Sequence, residues 1–310
     1  MTEFGFIENL SRLFATISTN GFEGIGDDCA VLPIGGGESL LFTSDMLVED
    51  IHFTRSTTSA YDLGRKSLAV NLSDVAAMGG RPVATLLSLS IPKDLDPTWA
   101  EEFMRGYHSL SARHNVALVG GDTTSSASQI TINVTAIGRT SDSNIKRRSA
   151  AKVGDIIMTT GQLGNSAAGL RQLMRGEGDG VFVAAHRLPM ARVAEGVWLG
   201  EQSGVHAMMD ISDGVGSDIR HILSRSGVGA QIDLDKLPTQ HDPRTALCGG
   251  EDYELLLTVS PSMASDILER FNAEFSMTLT PIGEITEGNS VVWRVAGEVI
   301  ADDFMGFRHF

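Results

Sequence analysis

At 310 residues the chain is long enough for two α/β domains of ordinary size, and its 42% hydrophobic and 20% charged content is that of a folded globular protein. A net charge of −15 argues against a bare nucleic-acid or anionic-membrane partner, each of which needs a basic face, and it would repel a phosphate-bearing substrate unless metal cations reversed the local field. Two cysteines, Cys29 and Cys248, exclude a disulfide framework and a thiolate zinc site; with no bilayer-length apolar run and no signal-like start over Met1 to Gly5, the expected compartment is the cytoplasm.

The first third opens with a helix-like apolar stretch over 7–17, followed by the turn Gly24-Ile25-Gly26-Asp27-Asp28. Gly35-Gly36-Gly37 reads as a flexible turn before a strand, Leu40-Leu41-Phe42, that leads into Thr43-Ser44-Asp45. A helix is expected over 61–78, closed by Gly79-Gly80 with Arg81-Pro82 as a stop. Strands follow at 84–91, 116–119 and 130–137, the last alternating Ile130, Ile132, Val134 and Ala136. The segments 84–91 and 130–137 carry more apolar side chains than one modest domain should expose, which suggests pairing across a two-fold axis. Between them lies a helix whose stripe of Trp99, Phe103, Tyr107 and Leu110 reads first as core packing.

Around 138–154 the chain turns polar and basic, with Lys146-Arg147-Arg148, and the domain boundary is placed there: 1–140 and 141–310. In the second half strands are expected at 155–159, 206–211, 230–234, 253–259 and 291–295, and helices at 165–175, 190–202, 217–226 and 262–275. The fold class is mixed α/β (α+β), without a short-period repeat.

The acids are unevenly placed. Segments 24–30, 43–52, 71–80, 120–125, 210–218 and 249–255 hold 49 residues, of which 13 are Asp or Glu and none is Lys or Arg. Solvated surfaces normally interleave both signs, and most of these segments fall where a strand or helix ends in a small-residue turn, so distant carboxylates can converge. Carboxylates without competing ammonium groups suit a hard divalent cation such as Mg²⁺, which takes a few of them together with waters and phosphate oxygens.

Each motif also has a local reading. Asp210-Ile211-Ser212-Asp213-Gly214 can be a helix cap, and Gly120-Gly121-Asp122-Thr123-Thr124 a strand-to-loop turn. Asp74, inside a helix in Asn71-Leu72-Ser73-Asp74, has no capping role to explain it. The Gly24–Asp28 turn lacks the third glycine of a dinucleotide fingerprint, and no segment matches the Gly-Lys-Ser/Thr phosphate loop. Lys146-Arg147-Arg148 is either a solvated patch or an arginine fork for phosphate, His52 either a surface histidine or part of an acidic site, and the cysteines are small buried fillers.

Taken together and in order, Gly24 to Ala30, Thr43-Ser44-Asp45, Ala69 to Gly79 and Gly120 to Thr124 resemble the ATP-binding superfamily of aminoimidazole ribonucleotide synthetase. Asp210 to Gly214, Gly249-Gly250-Glu251-Asp252-Tyr253-Glu254-Leu255 and the ending Gly306-Phe307-Arg308-His309-Phe310 narrow the resemblance to the thiamine-monophosphate kinase family. The resemblance implies a homodimer paired through N-terminal sheet domains, a C-terminal α/β sandwich and ATP held near the junction. Carried over by motif, Asp28, Thr43, Ser44, Asp45, Asp74, Asp122, Asp210 and Asp213 correspond to Mg²⁺ ligands. Tyr107, Gly121, Asp122, Arg148 and Ser212 correspond to nucleotide-binding positions, and His52, Glu251 and Phe307 to substrate-binding ones. Asp45, Asp122, Arg148 and Asp210 are the expected catalytic set.

The implied reaction moves the γ-phosphoryl group of ATP onto thiamine monophosphate by direct in-line transfer, the last step of thiamine diphosphate biosynthesis. The acceptor phosphate is already an anion near neutral pH, its second pKa being about 6, so no general base is required. The sister readings fit less well. Aminoimidazole ribonucleotide synthetase shares the acids but acts on a ribonucleotide. Selenophosphate synthetase needs an N-terminal reactive Cys or selenocysteine and Lys, whereas here the first of each are Cys29 and Lys66; a hydrogenase-maturation relative would end in a cysteine tail, not Phe310. From another class, an acidic scaffold would show no Mg²⁺-dependent ATP affinity.

Overall fold

The computed structural model describes residues 3–307, so Met1, Thr2 and the expected terminal Arg308-His309-Phe310 lie outside the described residues. The first half comprises α1 (Glu3–Phe14), β1 (Ala30–Gly35), β2 (Glu38–Val48), α2 (Ala60–Ala77), β3 (Arg81–Pro92), α3 (Pro97–His114), β4 (Ala117–Ser126) and β5 (Thr131–Ser141). Its sheet runs β1-β2-β5-β3-β4, with only β3 and β4 parallel, joined by the α3 crossover. The β1–β2 hairpin turns through Gly35, Gly36 and Gly37 at φ of +85°, +69° and +79°, left-handed values that three glycines reach without strain. Helix α2 is capped by Ser59, which accepts from the Asp62 N–H, and α3 by Asp96 ahead of Pro97 and by left-handed Asn115 at its end.

Alternation along β5 sends Ile132, Val134 and Ala136, with Ile130 just before it, under α2 and α3, where Ile130, Ile132 and Val134 join Phe103, Tyr107 and Leu110 in one core. Trp99 stacks on Phe103 at 5.3 Å between ring centroids. The alternation of Ile130, Ile132, Val134 and Ala136 thus marks the buried face of the strand, and these four are internal to the first half rather than available to a partner. The opposite sheet face carries Ser44, Met46, Leu86 and Asp122, all exposed. Strand β4 extends through the segment 120–125 that the sequence suggests to be a turn.

The second half contains β6 (Ile156–Thr160), α4 (Asn165–Met174), α5 (Val181–Arg187), α6 (Val193–Gly200), β7 (Val205–Asp210), α7 (Val215–Ser226), β8 (Gly229–Asp233), α8 (Pro243–Cys248), β9 (Leu255–Val259), α9 (Ala264–Glu274), β10 (Leu279–Thr286), β11 (Val291–Val295) and β12 (Glu298–Ile300). They form a seven-stranded sheet, β12-β11-β8-β10-β6-β9-β7. One face packs against Ile219, Ile222 and Leu223 of α7, the other against Leu199 of α6 and Ile267 and Phe271 of α9. This is a three-layer arrangement. Strands β1, β10 and β12 and helices α5 and α8 are additions to the sequence reading.

The two halves meet along α2, which is buried on nearly every side from Leu63 to Ala77. Its contact with α6 is backbone-close: a Cβ on Gly196 would lie 2.3 Å from the Ala76 carbonyl oxygen. Among the described residues no helix is long and apolar enough to cross a membrane. Gly196→Ala, although it favours the helix intrinsically, should lower unfolding free energy by roughly 1–3 kcal/mol by forcing the halves apart; denaturant unfolding at equilibrium measures it, and an unchanged midpoint would mean the contact is slack.

Candidate active site

Where the halves join, acids from five segments converge. Asp28 precedes β1, Asp45 lies on β2, Asp74 on α2, Asp210 ends β7 and Asp213 begins the turn into α7. One carboxylate oxygen from each of Asp28, Asp74 and Asp210 lies within 4.8 Å of the other two. Their supports are specific. Ser73 Oγ donates to Asp210 Oδ2 at 2.6 Å, Thr43 Oγ1 donates to Asp74, and the Asp45 N–H donates to Asn71 Oδ1 at 3.0 Å. Arg148 donates from Nη2 to Asp28 Oδ1 at 2.7 Å and from its backbone N–H to Asp27 Oδ1 at 2.7 Å. The Asp213 N–H reaches Asp218 Oδ2 at 3.2 Å.

Bringing these groups together raises their pKa values. Burial is the main cause for Asp210, pushed up to about 8, with Asp28 adding to it against the Ser73 hydrogen bond. Asp45 is pushed up to about 6 by burial and by Asp28. Asp74 stands well above the carboxylate range, from burial and then from Asp45, Asp210 and Asp28. Asp28 is raised by burial even though Arg148 opposes it. Asp28 Oδ2 and Arg148 Nε are both buried without a hydrogen-bond partner among the described residues. Three converging carboxylates, an orphaned carboxylate oxygen and mutual repulsion are what an oxygen-ligated divalent cation relieves, so the donor set fits Mg²⁺.

A cavity of about 590 Å³ opens beside the cluster, lined from the first half by Asp45, His52 and Asp74 and from the second by Asp210, Ser212, Asp213, Glu251 and Phe307. His52 Nδ1 accepts from the Val48 N–H at 3.0 Å, which puts the proton of the neutral ring on Nε2. Phe307 is 51% exposed on the cavity wall, whereas Phe304 is buried at 5.1 Å from Trp293, so the two do not form a common plug. Glu251, at φ +66°, hangs its backbone N–H on the Ser212 carbonyl at 2.7 Å.

Other expected residues lie elsewhere. Strand alternation turns Ser44 to the outer sheet face, where its Oγ is 3.2 Å from Thr135 Oγ1, while Thr43 and Asp45 face α2. Asp122 pairs with Ser88 on that outer face, and Gly121 is three strands from Asp45, roughly 14 Å across the sheet. Gly121, at φ +145°, has no room for a side chain: a Cβ would fall 1.7 Å from the Leu87 carbonyl oxygen. Tyr107 is internal, donating to Thr85 Oγ1 at 2.7 Å, and lines a second cavity of about 500 Å³ with Val83 and His108. The basic run is no solvated patch: Lys146 is buried on the Gln202 carbonyl at 2.9 Å, Arg147 pairs with Glu23 and Arg148 with Asp28.

Four polar residues beside Glu251 and this wall have no site role in the sequence reading, although Asp252 belongs to the quoted Gly249–Leu255 motif. Lys66 pairs with Glu251 at 2.8 Å, and His186 Nδ1 lies 3.2 Å from Glu251 and 3.0 Å from Ser166 Oγ. Burial and the Lys66 charge push His186 down to about 4, so the contact with Glu251 is a hydrogen bond to a neutral ring rather than an ion pair. Asp252 accepts from the Gly164 N–H at 2.6 Å and from the Ser166 N–H at 3.2 Å, capping α4. Lys66 shares its helix with Asp62, Arg65, Asn71 and Asp74, so nothing in the sequence singles it out.

The chain is similar to known proteins over both halves. The family described as AIR synthase related protein, N-terminal domain, matches residues 26–140, and AIR synthase related protein, C-terminal domain, matches 152–296. The thiamine-monophosphate kinase of Escherichia coli (strain K12) is 36% identical over 304 residues, covering 93% of this chain and 91% of the relative. That of Bacillus subtilis (strain 168) is 33% identical over 329 aligned positions, covering all of both chains. A structure of AaThiL complexed with AMPPCP and TMP superposes with a TM-score of 0.86 at 32% identity, covering 100% of this chain and 97% of the other.

The raised carboxylates have a consequence for stability. A group whose folded pKa exceeds its unfolded value contributes stability that is full below the unfolded pKa, near 4, and is lost as pH rises through the folded one. For Asp210 that loss is complete only above about 8. Without metal, wild type should therefore melt progressively lower relative to Asp210→Asn as pH rises from 5 to 8.5, by about 3 °C or more, and Mg²⁺ should reverse the order. Parallel melting curves across that range would mean the carboxylates are not in conflict.

Proposed function

The chain belongs to the thiamine-monophosphate kinase family, and on that premise we propose how its residues divide the work of transferring the γ-phosphoryl group of ATP to thiamine monophosphate. The reaction gives thiamine diphosphate, with ATP as co-substrate. One observation carries the assignment of the site: the Asp28, Asp74 and Asp210 carboxylates, whose oxygens lie within 4.8 Å of one another, open onto the cavity that holds His52, Glu251 and Phe307.

Asp28, Asp74 and Asp210, with Asp45, Thr43 and Asp213 beside them, would hold Mg²⁺. Bound there, Mg²⁺ supplies neutralising charge to a polyphosphate that the acid-rich cleft would otherwise repel. Arg148 contributes a guanidinium fork for phosphate oxygens, already desolvated and aimed into the cluster by Asp28. Ser212 lies at the same wall, where it would contact the nucleotide. The acceptor phosphate needs no base, so the side chains are left with alignment and charge, and Asp45, Asp122, Arg148 and Asp210 form the catalytic set. His52, Glu251 and Phe307 take thiamine monophosphate, placing its acceptor phosphate toward the acids.

Ser44, Gly121, Asp122 and Tyr107 lie apart from the cluster within one chain. The open outer face of the first sheet supports a homodimer in which a second protomer covers that face and its Ser44, Gly121 and Asp122 serve the nucleotide and its ions, whereas Tyr107, turned inward, would take part only through the second cavity it lines. The two sheets share no strand, with β5 ending at 141 and β6 starting at 156, which supports domains of 1–140 and 141–310. A cytoplasmic location, where ATP and Mg²⁺ are abundant, suits this chemistry.

The deciding experiment incubates the protein with ATP, Mg²⁺ and thiamine monophosphate and reads thiamine diphosphate directly; product should form, and chelation should abolish it. Absence of product with folded protein would sink the assignment. In light scattering at micromolar concentration the mass should be twice that of the chain, and a monomer would leave Asp122 without a role. Phe307→Ala should weaken thiamine monophosphate binding by about 0.5–2 kcal/mol, the range of a cation–π contact, and leave ATP almost unaffected; equal losses for both ligands would mean that Phe307 only braces the fold.

A further inference from the structure

Lys66 occupies the interior of α2 at 1% exposure, and its ammonium lies 2.8 Å from Glu251 Oε1. Helix α2 belongs to the first half of the chain and Glu251 to the segment between α8 and β9, so this ion pair crosses the junction at the wall of the larger cavity. The segment it grips is conformationally costly. Glu251 and Tyr253 both sit at positive φ, +66° and +51°, a region that non-glycine residues keep only where the surroundings over-determine it. Backbone anchors are provided by Glu251 N–H to Ser212 O at 2.7 Å and Tyr253 N–H to Ile211 O at 2.9 Å. Side-chain anchors are provided by Lys66 on Oε1 and His186 on Oε2. The His186 contacts to Glu251 and Ser166 both use Nδ1, so the three do not form a proton relay. Removing either partner of a buried ion pair leaves the other charge uncompensated, and Glu251 is the one carboxylate paired with Lys66 among the described residues, so the position of each constrains the other.

We propose that Lys66 is a positioning residue for the acceptor substrate: its ion pair with Glu251 fixes the 249–253 segment across the domain junction, and the two residues act as one unit in recognising thiamine monophosphate. The inference rests on reading that cavity as the thiamine monophosphate site. Wild-type protein that forms no thiamine diphosphate would overturn the underlying reading, whereas the variants below bear on Lys66 alone.

The test is a double-mutant cycle in steady-state kinetics with Lys66→Met, Glu251→Gln and the double variant, varying each substrate separately. Lys66→Met should raise KM for thiamine monophosphate about tenfold and leave KM for ATP within twofold. The double variant should be no more than twofold worse than the worse single one, because either change already dissolves the unit. The proposal fails if Lys66→Met leaves KM for thiamine monophosphate within threefold of wild type, if KM for ATP rises in parallel, or if the single effects multiply in the double variant. Should Lys66→Met not fold, Lys66→Gln, which keeps a donor without the charge, is held to the same thresholds.

Discussion

Everything in this molecule is arranged around a helix that has no solvated side. Helix α2 is walled by the first sheet, by α3 and by the second half of the chain, and its buried positions include Lys66, Ser67, Asn71 and Ser73. A buried polar group without a partner costs about 1–3 kcal/mol, and a charge considerably more, so each of these must be met from outside the helix or by its own backbone. Helical spacing then sorts them. Lys66 and Ser73, two turns apart, face the second half and find Glu251 and Asp210. Asn71 and Asp74, one turn apart, face β2 and find the Asp45 N–H and Thr43. The helix thus specifies the registration of both halves, and the acidic site is what that registration produces.

The same arrangement sets stability against function. Four carboxylates raised by burial and by one another are an expense in the folded state, and Arg148 answers only part of it through Asp28. Nearby packing compensates without polar groups: Gly79 and Gly200 bring backbones so close that a Cβ on Gly200 would lie 2.9 Å from the Gly79 Cα. A joint of close-packed small residues holds the two halves in one register, which would suit the proposed transfer, where alignment matters more than proton transfer.

How much of this could be read beforehand depended on range. The helix over 61–78 was legible within a residue at each end, because its apolar run and closing glycines are local signals. Convergence of Asp28, Asp74 and Asp210 was legible as an excess of acids at element ends, although their partners Ser73 and Arg148 were not all visible as such. The side of the sheet was another matter. The motif presents Thr43 and Ser44 alike as ligands of one site, yet adjacent strand residues point to opposite faces, and the register with β5 sends Ser44 outward. The apolar stripe of β5 was clear, but whether helices or a second subunit cover it depends on contacts far away in sequence. Short elements such as α8, β10 and β12 exist because tertiary packing holds them, and six or eight residues carry too little periodicity to announce that.

Glu251 illustrates how a structure changes the weight given to a residue. In the sequence it stands as a carboxylate that could attract the fixed positive charge of a thiazolium ring. In the fold its Oε1 faces an ammonium at 2.8 Å and its Oε2 an imidazole at 3.2 Å. Seen from within the cavity, the Lys66–Glu251 pair is close to neutral, and its field falls off as a dipole rather than as a charge. Cation recognition would then fall more to the half-exposed ring of Phe307 and to the acids Asp45 and Asp213 that line the same cavity. Those acids also adjoin the Asp28, Asp74 and Asp210 carboxylates. On the proposed reading, a substrate carrying a cation at one end and a phosphate at the other would thereby be oriented, the phosphate toward the carboxylates and any ion they hold, and the ring toward the aromatic wall. What Glu251 contributes in this arrangement is the placement of the 249–253 segment, with its charge already spent on Lys66.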